Sequence, residues 1–260
     1  MPLRKAIEQI IEKANSGNVG VIEDGINQLE SLLKSLTPSI QKSHTSGSMD
    51  SRLLAFITLQ ENFQYNLCSE LIPAYRTLQG AGQMANTSTL IQINTAMMGL
   101  LLIHPESRNV FSKKANMSLI LGFLDPDNGS YQLDRCASFV SLLIHILLRN
   151  LRNMRVFEAC GGCMAIIRLL QLTPDNNEPS EGDTAMQQTL HFKVVEFLIF
   201  YMTDESEWKD GNAPVRTVSE KAGFIKPEFP AIEDLIENLN DLSTSKSHSS
   251  HITSKEQFHA

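Results

Sequence analysis

Two stretches of this chain repeat one another at an offset of 46 residues, from Val110 to Val156. Residues 100–124 read LLLIHPESRNVFSKKANMSLILGFL, and residues 142–170 read LLIHILLRNLRNMRVFEACGGCMAIIRLL. With Val110-Phe111 set over Val156-Phe157, Met117 falls on Cys163, Ile120 on Ile166, Leu121 on Ile167, Phe123 on Leu169 and Leu124 on Leu170. Each copy runs from an apolar helix through a polar turn and a short helix into a second apolar helix. In the later copy Gly161-Gly162 makes the corner. A unit of this shape cannot bury its apolar face alone, so a chain that repeats it must stack the copies.

The rest of the chain reads as helix throughout. Leu3, Ile7 and Ile10 mark a short amphipathic helix, and Ile22, Ile26, Leu29, Leu33 and Leu36 mark a longer one that Pro38 is expected to end. Residues 37–51 are Ser/Thr-rich and read as an exposed linker. The pattern restarts at 52–79, with a break at Pro73 and a stop at Gly80–Gly82. It continues over 88–103, closed by Pro105. After a turn at 125–130, residues 131–149 are apolar nearly all round, which predicts a central helix with one polar line of Ser138, Ser141, His145 and Arg149. Residues 173–185 read as an acidic loop and 186–203 as a helix. Thr217 and Glu220 form a capping box, and Ile232, Leu235, Leu239 and Leu242 mark a last helix. No alternating strand pattern stands out. The expected fold is all-α, an armadillo/HEAT-like solenoid (such repeats run roughly 40–47 residues) over 1–242, with a polar, disordered tail at 243–260.

The 260 residues carry a net charge of −7 and a pI near 5.5. That disfavours nucleic acid as the main partner. Eight acids against Lys193 place −7, equal to the whole net charge, within residues 173–207. The N-terminus has no signal-like apolar run, and the longest apolar stretch, Leu142–Leu148, is broken by His145, so a cytoplasmic protein without membrane contact is expected. Cys160-Gly-Gly-Cys163 is the one C-x-x-C; it has neither the second pair that a zinc site needs nor a preceding strand. No Cys is followed by Arg at the spacing of a cysteine phosphatase, and no phosphate-binding Gly loop or hydrolase motif occurs. No enzyme activity, cofactor, metal or small-molecule substrate is expected. Arg149, Arg152 and Arg155, spaced to share one side of a helix, read as a solvated face or as a basic strip for an acidic or phosphorylated partner. Lys113 and Lys114 occupy the matching region of the earlier copy.

Five blocks carry a wider likeness: RLLAFITLQENFQYNL at 52–67, LLIHPESRNVF at 101–111, NMRVFEACGG at 153–162, FKVVEFLIFYMTDE at 192–205 and RTVSEKAGFI at 216–225. In this order they resemble the fungal cell division control protein 14 family, a component of the septation initiation network and not the dual-specificity phosphatase of similar name. The resemblance covers roughly residues 5–242. It implies an armadillo-like protein without catalysis that partners a Ste20-like (germinal-centre-type) kinase. That pairing is expected to support the kinase and its recruitment to the spindle pole body, so that cytokinesis and septum formation follow mitosis. One departure is that Pro227 and Pro230 shorten the helix following the 216–221 block. Arg108, Arg216 and Lys221, from these blocks, complete the candidate partner-binding set. The alternative reading is a general armadillo-type peptide adaptor, against which the third-helix segments 117–124 and 163–172 contain no asparagine.

Overall fold

The periodic apolar positions become helices nearly everywhere the spacing predicts them. The computed structural model describes residues 2–82, 86–125, 132–172, 181–208, 213–230 and 232. In chain order the α-helices are α1 (Leu3–Ala14), α2 (Val19–Ser46), α3 (Ser51–Glu61), α4 (Leu67–Glu70), α5 (Ile72–Ala81), α6 (Thr87–Ile103), α7 (Lys114–Gly122), α8 (Leu133–Leu147), α9 (Leu151–Ala159), α10 (Gly162–Arg168), α11 (Glu181–Tyr201) and α12 (Val218–Ala222). Two 3-10 helices, Pro105–Ser112 and Leu169–Gln171, join them. Among the described residues no strand occurs, and the fold is all-α. No described helix is long and apolar enough to cross a membrane.

The long helices pack in series: α1 on α2, α2 on α6, α6 on α8 and α8 on α11. The shorter helices follow along the edge, with α7 on α5 and α9 on α7. The two echoing stretches sit in register. α6 and α8 begin at Thr87 and Leu133, and the next helices at Pro105 and Leu151, both 46 residues apart. As its composition predicts, α8 is central, with Phe139, Val140, Leu142, Leu143, Ile146 and Leu147 fully buried. Its polar line turns towards neighbouring protein at Ser138. There Asn94 of α6 donates from Nδ2 to Ser138 Oγ at 3.1 Å, while accepting the Tyr75 hydroxyl at 2.8 Å. His145 Nδ1 pairs with the Ser141 carbonyl oxygen at 2.8 Å, not with its hydroxyl.

Three local expectations are corrected. Pro38 does not end α2, which runs on to Ser46 and stops at Gly47 in a left-handed conformation (φ 66°). The hydroxyls that mark 37–51 as a linker instead bond back along the helix. Ser43 donates to the Ser39 carbonyl at 2.9 Å and Ser46 to the Lys42 carbonyl at 2.7 Å. α11 begins at Glu181, inside the segment read as an acidic loop; acids suit a first turn because the helix dipole is positive there. The third correction concerns Arg149. α8 ends at Leu147, and Arg149 takes a left-handed φ of 51°, the one non-glycine residue described with positive φ. It therefore does not share a helix with Arg152 and Arg155, which lie on α9. The expected breaks at Pro73 and Gly82 and the capping box at Thr217 and Glu220 are present. Residues 126–130, 173–180 and 243–260, and the proposed last helix beyond Ile232, lie outside the described residues.

The exposed Arg149 backbone yields a stability expectation. Left-handed backbone costs a side-chain-bearing residue roughly 1–2 kcal/mol that glycine avoids, less what glycine loses through its freer unfolded chain. Arg149→Gly should therefore raise stability by about 0.5–1 kcal/mol, read as an upward shift of the thermal midpoint.

Candidate functional site

The eight candidate cations divide into two groups. Lys113, Lys114, Arg149 and Arg152 are exposed. Lys113 caps and Lys114 opens α7; Arg149 and Arg152 flank the start of α9, where Asn150 is the N-cap. Asn150 Nδ2 donates to Asn109 Oδ1 at 3.3 Å, which ties the start of α9 to the 3-10 helix that leads into Lys113. These four cations decorate one pair of neighbouring helix ends.

The other four, Arg108, Arg155, Arg216 and Lys221, are buried or partly buried, and each is engaged in contacts within the chain. Arg108 is buried and donates from Nε to the His145 carbonyl at 2.9 Å, closing the C-terminal end of α8. Its own carbonyl accepts from Asn153 Nδ2 at 2.7 Å, and the same amide donates to the Ile146 carbonyl at 2.9 Å. Asn153 is fully buried, so it links the two echoing units from within.

Arg155, Arg216 and Lys221 converge on two buried carboxylates. Glu205, fully buried, takes Arg155 Nη2 at 2.7 Å and Lys221 Nζ at 3.2 Å on Oε1, and the Arg216 backbone N–H at 2.9 Å on Oε2. Glu158 takes Arg155 Nη2 at 3.1 Å and the Tyr201 hydroxyl at 2.9 Å on Oε1, and Arg216 Nε at 2.9 Å on Oε2. Arg155 also donates from Nη1 to the Pro214 carbonyl at 3.0 Å. Lys221 has no solvent exposure and donates to the Tyr201 and Thr203 carbonyls at 2.8 and 2.6 Å, capping the end of α11. Burial holds its ammonium below the usual lysine value, with Glu205 opposing that shift. The cluster pins the described residues 203–208 and 213–225 to α9 and α11. Its acids gave little sign in the sequence. Glu158 does stand out as the one acid in the short helix before the Gly-Gly corner, and that was the available signal.

The C-x-x-C segment is built as a corner. Gly161 is left-handed (φ 76°), and a Cβ on Gly162 would stand 2.2 Å from the Phe157 ring. Cys163 is buried and its thiol is pushed up to about 12 by desolvation, so at neutral pH it holds its proton. Cys68, Cys136, Cys160 and Cys163 are all free thiols. Among the described residues no group of three or more His, Cys, Asp or Glu side chains is arranged to hold a metal ion. What this surface offers chemically is exposed guanidinium and ammonium groups suited to carboxylate or phosphate.

The sequence matches the family described as "Cell division control protein 14, SIN component" over residues 3–214. It is similar to Cell division control protein 14 of Schizosaccharomyces pombe, with 27% identity over 142 residues, covering 55% of this chain and 53% of that protein. The alignment thus spans about half the length of that relative. No solved structure matches. Since the family match runs from the first turn of α1 through α11 to the Pro214 that Arg155 holds, the chain belongs to the cell division control protein 14 family of SIN components.

Proposed function

We propose that this protein is a non-catalytic regulatory subunit that binds a Ste20-like, germinal-centre-type kinase and supports it in the septation initiation network. The observation that carries the reading is membership, over residues 3–214, of a family described as a SIN component. On this reading the helices form an armadillo/HEAT-like solenoid. The equal 46-residue steps from Thr87 to Leu133 and from Pro105 to Leu151 support that arrangement. A serial stack presents a long, rigid surface without needing a reaction cleft. The kinase, or an extension of it, docks through acidic or phosphorylated groups against Lys113, Lys114, Arg149 and Arg152, the candidate cations that the fold leaves exposed. The protein is cytoplasmic and joins the kinase at the spindle pole body, where the pair promotes septum formation.

The test mixes the purified chain with the kinase and follows phosphotransfer. The kinase should be more active with the chain than without it, and the chain alone should show no turnover. Replacing the four exposed cations by alanine together should weaken binding by about 10-fold or more, the loss of roughly 1.4 kcal/mol of charge-assisted contact. The thermal midpoint should change little. A kinase equally active alone, or undiminished binding by the variant, would sink the proposal. Arg149→Gly separates the two roles of that residue, since it should stabilise the fold while weakening docking.

A further inference from the structure

The surface between α1 and α2 holds a groove of about 930 Å³. The two helices fold back on each other through the turn at 15–18 and press together at Gly25. A Cβ added there would stand 2.9 Å from Lys13 Cβ and 3.5 Å from the Ile10 carbonyl oxygen. The groove runs from Lys13 and Asp24, near that crossing, to Leu3 and Leu32 at the other end, where Arg52 of α3 joins it. Ile10 and Leu32, both buried, form its floor. Asp24, Asn27, Gln28 and Ser31 recur at i, i+3, i+4 and i+7, so one face of α2 makes a polar wall.

The polar groups of this groove are left with bonding capacity. Among the described residues, the side-chain amides of Gln9, Asn27 and Gln28 make no hydrogen bond to protein. Each amide offers both a donor and an acceptor. Arg52 donates from Nη2 to Ser35 Oγ at 2.9 Å and, among the described residues, forms no ion pair. Its other guanidinium donors suit a carboxylate. At the opposite end Lys13 already has Asp24, at 3.9 Å. The groove is therefore positive at one end only.

These features select the occupant. A helix satisfies its own backbone and would leave the three amides without partners, whereas an extended chain brings free N–H and C=O groups to them. Leu3 to Lys13 spans about 15 Å of helix. At about 3.3 Å per residue, that length takes roughly four or five extended residues. We propose that the groove between α1 and α2 binds an extended peptide segment of a partner protein, its backbone held by Gln9, Asn27 and Gln28 and an acidic side chain held by Arg52. The proposal does not rest on the kinase reading, and none of the exposed cations Lys113, Lys114, Arg149 and Arg152 lines the groove.

The test screens the full chain against random seven-residue peptides with capped ends and measures the affinity of those selected. Selected peptides should share an Asp or Glu at one position, and Arg52→Ala should weaken them about 10-fold. Arg52→Glu should recover binding when that acid is replaced by Lys. Ser31→Trp should abolish binding by filling the groove, since Ser31 is exposed and its hydroxyl bonds only to the Asn27 carbonyl of its own helix, at 2.9 Å. Methylating the central backbone nitrogens of a selected peptide should also abolish binding. Thermal midpoints within about 2 °C of the parent show that the variants are folded. For one that melts lower, Gln28→Ala, at an exposed position, takes its place and should weaken binding as well. A library that yields no binder, binders without a shared acid, or binders indifferent to Ser31→Trp or to backbone methylation would overturn the proposal. So would binders lost when the four exposed cations are replaced, because the peptides would then dock on that other surface.

Discussion

Replacing Glu205 with alanine is expected to destabilise the protein by about 3–5 kcal/mol, the cost of leaving buried charges without their partner. Lys221, with no solvent exposure, loses its carboxylate, and Arg155, whose side chain is 12% exposed, loses its shortest contact. Three positive groups then face Glu158 alone. For a chain of this size the change corresponds to a fall of roughly 10 °C in the thermal midpoint. Glu205→Gln should fall in between, because the amide oxygen still accepts from the Arg216 backbone N–H but carries no charge to offset Lys221. Hydrogen exchange should place the damage at residues 203–225 and the end of α11, leaving α1, α2 and α6 protected. A Glu205→Ala protein that melts within about 2 °C of the parent would mean that Lys221 and Arg155 find other partners at little cost, and the cluster would then not hold the C-terminal segment.

The same cluster shows why the helices were legible in the sequence and the site was not. Apolar spacing is a local signal. Ile22, Ile26, Leu29 and Leu36 recur as a helix requires, and all four are buried. The 46-residue offset depends only on the order of elements, and the helix starts at Thr87 and Leu133 keep it. Charge pairing, by contrast, depends on contacts remote in sequence. Arg155 meets Glu205 across 50 positions, and Arg216 meets Glu158 across 58. Nothing in the spacing of Arg149, Arg152 and Arg155 distinguishes a solvent-facing arginine from one turned inward. Nor does the arginine spacing reveal that the chain leaves the helix at Arg149; the local signal is Asn150, a residue type suited to an N-cap, which caps α9. Pro38 erred in the other direction. A proline on a partly exposed helix removes one backbone bond, and α2 carries on past it with Ile40 still packed against the core.

Phe157→Ala is expected to cost about 3–5 kcal/mol, as for other buried aromatic truncations. The ring is fully buried, with its centroid 5.4 Å from Phe197 and 6.2 Å from Tyr201, and its edge fills the space above Gly162. That last contact makes the corner testable as a pair. Gly162→Ala alone would set a methyl 2.2 to 2.6 Å from three ring atoms that Phe197 and Tyr201 confine, so a loss of about 1–3 kcal/mol is expected from overpacking. In the Phe157→Ala background the same methyl enters vacated space. There Gly162→Ala should be neutral, or favourable by about 0.5–1 kcal/mol, because alanine suits a helix better than glycine. Gly161→Ala supplies the contrast. It meets no atom within 4 Å but sits at φ 76°, so it should cost roughly 1–2 kcal/mol whichever residue occupies position 157. Chemical denaturation of the five variants measures the cycle. Equal penalties for Gly162→Ala with and without the Phe157 ring would show that the second glycine serves backbone freedom, and the close ring contact would then not explain why the corner carries two glycines.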